Sequence, residues 1–169
     1  MDDIALTILP ETAADGPAIE RLHERTFGPG RYAKTAYRLR EQIGHRLALS
    51  FTARIGTLLI GSVRLSPVRI GDSKALLLGP LTVEPVFRER GVGQALIEQA
   101  LKEAAAKGER LVILVGDEPY YGKCGFKPVP PGRAIMPGPV DPARLLVAEL
   151  VEGAFTGVSG HIRPEWETA

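Results

Sequence analysis

The stretch that most constrains this chain is a helix bracketed by two apolar strands. Val92, Ala95, Leu96, Ala100, Leu101 and Ala104 recur at the 3.6-residue period, with Glu98, Lys102, Glu103 and Lys107 largely opposite. The pattern runs from Gly91 to Lys107, and Gly108 stands where a glycine ends a helix in the left-handed conformation. Ahead of it, Ala75 to Val83 reads as a strand; behind it, Leu111 to Val115 is a run without a polar residue. A continuous apolar strand after a helix predicts a strand covered on both faces.

The flanks fill in the layout. Ile4, Leu6 and Ile8 alternate with Ala5, Thr7 and Leu9 as a first strand stopped by Pro10. Asp15-Gly16-Pro17 caps a helix in which Ile19, Leu22, His23 and Phe27 recur at helical spacing, and a second helix is expected from about Tyr32 to Ile43. Between Arg46 and Val83 the period drops to two, with Gly56 and Gly71-Asp72 as turns, which predicts an antiparallel three-strand meander. Gly79-Pro80 interrupts its last strand, since proline donates no ladder bond and glycine permits a bulge, so a splay is expected there. Pro119 to Cys124 reads as a short helix closed by Gly125, Phe126 to Val129 as a strand, and Leu145 to Leu150 as the last strand before a tail poor in apolar residues. Neither a repeat nor a linker divides residues 1–169, so one domain of α+β or mixed α/β class is expected.

Composition narrows the partners. The 169 residues carry 21 Lys plus Arg against 20 Asp plus Glu, so the basic surplus that nucleic-acid binding uses to displace counterions is absent. One cysteine, Cys124, excludes an internal disulfide, and the separated His23, His45 and His161 form no metal motif, so no metal is expected. Apolar runs such as 75–78 are far too short for a bilayer, and the acidic start at Asp2-Asp3 is no secretory leader. A soluble, cytoplasmic protein without a membrane or nucleic-acid partner is the expectation.

Chemistry concentrates between residues 81 and 95. A strand ends at Leu81-Thr82-Val83, a loop carries Arg88 and Arg90, and a helix opens on Gly91-Val92-Gly93-Gln94-Ala95. The first amides of a helix lack internal partners, the helix dipole is positive there, and the two glycines keep side chains away from a large anion. The result is a cradle suited to phosphate or pyrophosphate. A Rossmann fingerprint would need glycine or alanine where Leu96 stands, and a Walker A loop would need Gly-Lys-Ser/Thr, which is absent.

The spacing Arg88-x-x-Gly91-x-Gly93 resembles instead the acetyl-CoA pyrophosphate loop of the GNAT acetyltransferase superfamily, Arg/Gln-x-x-Gly-x-Gly/Ala. Downstream, Tyr120-Tyr121-Gly122-Lys123-Cys124-Gly125-Phe126 resembles that family's Phe/Tyr-Tyr-x-Lys/Arg-x-Gly-Phe segment, in the family's order and with a strand between the two. The phrases at 79–83 and 116–121 are similar to the YhbS-type subgroup. The resemblance covers roughly residues 4–150 and is specific over 79–126.

It implies a GNAT-like fold, a central and mostly antiparallel sheet with a splayed strand pair and flanking helices. It implies acetyl-CoA as cosubstrate, held at Leu81, Thr82 and Val83 and at Arg88, Arg90, Gly91, Val92, Gly93, Gln94 and Ala95. Backbone groups of Leu81 and Val83 would hold the pantetheine arm and polarise the acetyl carbonyl, and amides from about Arg88 to Ala95 the pyrophosphate. Tyr121 matches the general-acid tyrosine, with Tyr120 left for packing. The implied activity is direct acetyl transfer to a primary amine of a small molecule or peptide; the same residues also suit a module that binds acyl-CoA without turnover. Homodimerisation is left open.

Other residues stay unassigned. Glu84, Asp117 and Glu118 are carboxylates near the strand ends, and none is given the role of base. Leu114 stands where some superfamily members carry an asparagine that holds the pantetheine. Cys124 reads as a packed thiol. Eight Lys or Arg within residues 20–54 (Arg21, Arg25, Arg31, Lys34, Arg38, Arg40, Arg46 and Arg54) read as a solvated helical face rather than a site for an acidic acceptor.

Overall fold

Turn chemistry and strand period set the architecture in the computed structural model, which describes residues 5–28, 30, 34–41 and 43–165. Strand β1 (Leu6–Pro10) leads into helix α1 (Gly16–Phe27), whose first turn holds Pro17, where a missing N–H is harmless. Helix α2 (Thr35–Glu41) follows. Strands β2 (Phe51–Ile55), β3 (Leu58–Ile70) and β4 (Ser73–Val83) then form the meander, joined by two-residue turns in which Gly56 and Gly71 take φ of 61° and 60°. Helix α3 (Val92–Ala106) crosses to β5 (Leu111–Val115). Helix α4 (Glu118–Tyr121) and the strands β6 (Lys127–Pro128), β7 (Ala134–Ile135), β8 (Leu145–Glu149) and β9 (Gly160–Pro164) complete the chain.

The sheet runs β1-β2-β3-β4-β5-β8-β6, antiparallel at every step except β4 beside β5. Alternation on the two central strands builds both layers of the core. Leu76 and Leu78 of β4 and Val112 and Leu114 of β5 face α3, where Leu96, Ile97 and Ala100 are fully buried. Ala75, Leu77, Leu111 and Ile113 point the other way, to Leu39 of α2 and to Phe155. Strand β5 is therefore covered on both faces, as its composition predicts, and each such leucine or isoleucine contributes about 2 kcal/mol of burial. Helix α1 sets Ile19 and Leu22 against Leu59.

Two features open the sheet. Leu65 pairs with Leu78 but Val63 with Leu81, so β4 bulges at Gly79-Pro80, whose peptide bond is cis. On its other side β4 pairs with β5 only at Leu76↔Val112 and Leu77↔Ile113. Beyond those pairs the strands diverge, and the splay expected at Gly79-Pro80 is present.

The structure departs from the sequence expectation in several places, the two-residue strand β7 among them. Leu47–Leu49 form a 3-10 turn rather than strand, because the Ser50 hydroxyl closes it, donating to the Arg46 carbonyl (2.8 Å) and accepting from Leu65 N–H (3.1 Å). β8 is not the last strand: β9 pairs with Val68–Ile70, and Phe155, Val158 and Ile162 of the tail are buried. Single apolar residues among glycines carry no period, which hides this strand from a pattern search. The described part of α2 is shorter than expected, and Tyr32 and Gln42, like Ile4 of the first strand, lie outside the described residues. Among the described residues, no helix is long and apolar enough to cross a membrane.

Candidate active site

The diverging strands leave a cleft whose edge is main chain. Glu84 N–H donates to the Ile60 carbonyl (2.7 Å), so in the antiparallel ladder Glu84 and Thr82 turn their amide groups toward β3. Leu81 and Val83, of opposite parity, turn theirs into the gap. This parity separates three neighbours that the sequence alone groups together. The Thr82 side chain is buried and its backbone engages β3, so it stands outside the cleft.

The cleft continues onto the start of α3. Gly91 is the N-cap, with φ of 81°, a conformation that L side chains rarely adopt; a Cβ there would meet nothing within 4 Å, so its requirement for glycine is conformational. No side chain caps the helix, and the first helical bond is Ala95 N–H to the Gly91 carbonyl (3.0 Å). The amides of Val92, Gly93 and Gln94 are ahead of that bond and lack helical partners, at the positive end of the dipole. At Gly93 the requirement is space: a methyl would collide with the Tyr120 hydroxyl and sit 3.6 Å from Leu81 Cδ2.

A cavity of about 580 Å³ covers this turn, lined by Leu81, Val83, Arg88, Gly91, Val92, Gly93 and Gln94 together with Phe87, Tyr120 and Lys123. Seven of the residues singled out from the sequence thus meet at one wall. Arg90 does not line it; its guanidinium stands over the Phe87 ring, 5.9 Å from the centroid. Ala95 is also outside, one residue past the open amides. Lys123 is the addition. It lies in the second motif, and only the packing of the 3-10 turn Gly122–Cys124 on α3 brings it to this wall.

Past Tyr120 lies a second cavity of about 530 Å³, lined by Tyr37, Arg40, Leu78, Gly79, Pro80, Leu81, Gly116, Asp117, Tyr120, Tyr121, Asp141 and Arg144 among others. Leu81, Phe27 and Tyr120 belong to both walls, so the two spaces adjoin. Tyr121 is fixed by packing. Its ring meets Tyr120 and Phe126 edge-on at 4.9 and 6.2 Å and rests on the Cα of Gly116, where a side chain would overlap it. Burial pushes its phenol up to about 12, with Tyr120 and Asp117 adding to the shift, so the hydroxyl keeps its proton at neutral pH. Tyr120 is more open, 37% exposed, and stands between the cavities rather than in the core.

Three carboxylates near the cleft have partners. Glu84 pairs with Arg25 (2.7 Å), Asp117 with Arg144 (3.2 Å), and Asp141 accepts from Ala143 N–H (3.0 Å). Cys124 is half-buried against the α3 core, and burial, then Glu98, raises its thiol above the usual range, which keeps it protonated. Of the basic residues between 20 and 54, Arg25 is at the surface beside Glu84, Arg54 pairs with Asp15, and Arg46 with Glu109 (3.5 Å). Lys34 and Arg40 differ: both line the second cavity, Lys34 exposed at its mouth and Arg40 half-buried, and the sequence gives no sign of this.

The chain is similar to known proteins over most of its length. The model of the acetyltransferase (GNAT) family matches residues 16–126. The chain is 29% identical over 157 residues to the uncharacterised N-acetyltransferase YhbS of Escherichia coli strain K12, covering 92% of this chain and 93% of that protein. The crystal structure of YhbS from Escherichia coli in complex with CoA superposes with a TM-score of 0.81 at 26% identity, over 98% of this chain and 92% of that one. A GNAT family acetyltransferase from Brucella melitensis in complex with acetyl-CoA superposes with a TM-score of 0.61 at 26% identity, over 90% of this chain and 99% of that one.

Proposed function

The chain belongs to the acetyltransferase (GNAT) family, and from that membership we propose that it moves the acetyl group of acetyl-CoA directly to a primary amine of a small molecule or peptide. One observation carries the reading: the gap between β4 and β5 runs from the open amides at the start of α3 to the half-buried phenol of Tyr121. Bound CoA in YhbS and bound acetyl-CoA in the Brucella melitensis protein support the choice of cosubstrate.

The residues present fit the cosubstrate. The amides of Val92, Gly93 and Gln94 offer three donors to a diphosphate, with Arg88 and Lys123 adding charge at the same end. Main-chain groups of Leu81 and Val83 face the gap, where they would hold an extended amide-bearing arm as a third strand would. Acetyl-CoA supplies an activated acetyl group; the chain supplies position and protons. As the amine nitrogen bonds to the carbonyl carbon, charge grows on the carbonyl oxygen, and a fixed N–H from β4 stabilises it. As the C–S bond breaks, the Tyr121 phenol donates its proton to the sulfur, and the second proton that the nitrogen loses on becoming an amide returns through water to the phenolate, leaving thiol, amide and a neutral tyrosine. The proton that the ammonium loses passes to water in the open cavity, since the carboxylates of its wall are engaged by partners.

The test is calorimetric titration with acetyl-CoA followed by an amine panel monitored for free thiol. Binding with amine-dependent thiol release is expected. Absence of binding would refute the reading.

A further inference from the structure

Several half-buried arginines of this molecule are held by partners. Arg64 donates to both oxygens of the buried Glu11 (3.0 and 3.1 Å), Arg69 to Glu165 (2.9 Å), and Arg133 to the carbonyls of Val158 and Phe155. Arg25, Arg54 and Arg144 each have a carboxylate. Arg40, in the last turn of α2, has none among the described residues, and its Nε is fully buried with no hydrogen-bond partner.

The guanidinium is nevertheless built in. It lies over the Tyr37 ring, 5.7 Å from the centroid, and against the backbone of Gly79, where a Cβ would be 2.9 Å from Nη1. Gly79 thus leaves room for this group at the β4 bulge. Arg40 lines the floor of the 530 Å³ cavity, shared with Tyr121, and also a smaller one of about 140 Å³ behind it. Burial pulls its pKa down to about 10, so it remains cationic at neutral pH. Tyr121 keeps its proton and does not neutralise it, and the like charge of Arg64 opposes it from behind. A half-buried cation whose Nε has no partner, beside a like charge and without a carboxylate, leaves a polar demand that an anionic ligand in the cavity would meet.

Resting on the transferase reading above, we propose that Arg40 anchors a carboxylate of the acceptor, so that the enzyme's substrates are primary amines that also carry a carboxylate group. A monoanion matches the single uncompensated charge. A phosphate dianion does not: Arg144 is engaged by Asp117, Asp141 adds negative charge to the same wall, and Lys34 stands at the exposed mouth, 5.8 Å from the Phe27 ring centroid. The planar fork of the guanidinium accepts a carboxylate through two parallel bonds, which fixes the direction of the rest of the acceptor.

The experiment compares matched pairs, an amino acid and the amine lacking its carboxyl group, as acceptors for the wild type, Arg40→Met and Arg40→Lys. The wild type favours the carboxylate-bearing member at least about tenfold in kcat/KM, the ratio falls about tenfold or more in Arg40→Met, and Arg40→Lys restores part of it. Equal kcat/KM within the wild-type pairs, or a ratio unchanged in Arg40→Met, would overturn the proposal. A second readout needs no turnover. Sodium propionate at ten times its dissociation constant raises the wild-type Tm by about 3–6 °C over sodium chloride of equal ionic strength, and not that of Arg40→Met. No wild-type rise, or a larger one with inorganic phosphate, counts against a carboxylate site. If acetyl-CoA fails to bind while propionate stabilises through Arg40, the transferase reading falls and the anion site stands.

Discussion

Gly116→Ala is a perturbation one residue removed from any proposed chemistry, and its effect is worked from packing alone. Gly116 follows β5 directly, in a backbone conformation open to alanine, with its N–H donating to the Arg144 carbonyl (2.9 Å). A Cβ there would overlap Cε2 of Tyr121 and stand 2.8 Å from its Cδ2, where ordinary contact begins at 3.4 Å. The ring edge must retreat by at least about 0.6 Å at Cδ2 and further at Cε2, an overpacking that costs about 1–3 kcal/mol. Retreat is hindered, because Tyr120 and Phe126 hold the ring edge-on. For a chain of this size the penalty lowers Tm by about 2–12 °C. A misplacement approaching 1 Å in a positioned acid lowers turnover by about 10²-fold. The assay is steady-state thiol release with saturating acetyl-CoA, beside calorimetry of acetyl-CoA binding. The expected result is a kcat loss near 10²-fold with the dissociation constant changed by less than about threefold. Turnover within about threefold of wild type, in a variant whose Tm has fallen by that amount, would refute Tyr121 as the proton donor.

Three further perturbations test other parts of the account. Tyr121→Phe lowers kcat by about 10²–10⁴-fold with little effect on acetyl-CoA affinity, measured by the same two assays. Arg88→Ala and Lys123→Ala each weaken CoA binding by about two- to fivefold, an effect that shrinks as salt is raised, because both charges are near the surface. Acid weakens the fold through Glu11: burial acts to raise its carboxyl, but hydrogen bonds from His45 (2.8 Å) and Arg64 outweigh it and hold the group below the usual range. Its contribution is therefore present above about pH 4.5 and lost as pH falls through the depressed value, so Glu11→Gln should flatten the dependence of urea stability on pH between 7 and 3.

Much of this was legible in the chain, and the reasons differ by element. The α3 stripe, the two glycines ahead of it and the apolar β5 carry strong local signals, since period and turn chemistry act within a few residues. The bulge at Gly79-Pro80 was readable because both residues break a ladder by themselves. What escaped was long-range. Leu81, Thr82 and Val83 look alike in sequence, and only their pairing with β3 decides which main-chain groups face the gap. Lys123 needs the turn after α4 docked on α3. Arg40 was hidden among basic neighbours on a short polar helix, where a solvated face is the ordinary outcome. Its placement depends on Leu39 docking into the core and on space made by Gly79 at the distant β4 bulge. Strand β9 escaped because pairing with β3, rather than its own composition, makes it a strand.

The central claim is that the first turn of α3 and the facing edge of β4 form one seat for a diphosphate-bearing thioester. Titration of CoA into 15N-labelled protein tests it most directly. The account predicts saturable binding, with the largest amide shifts at Val92, Gly93 and Gln94 and further shifts at Leu81 and Val83. No binding, or saturation that leaves those five amides unmoved, would contradict it.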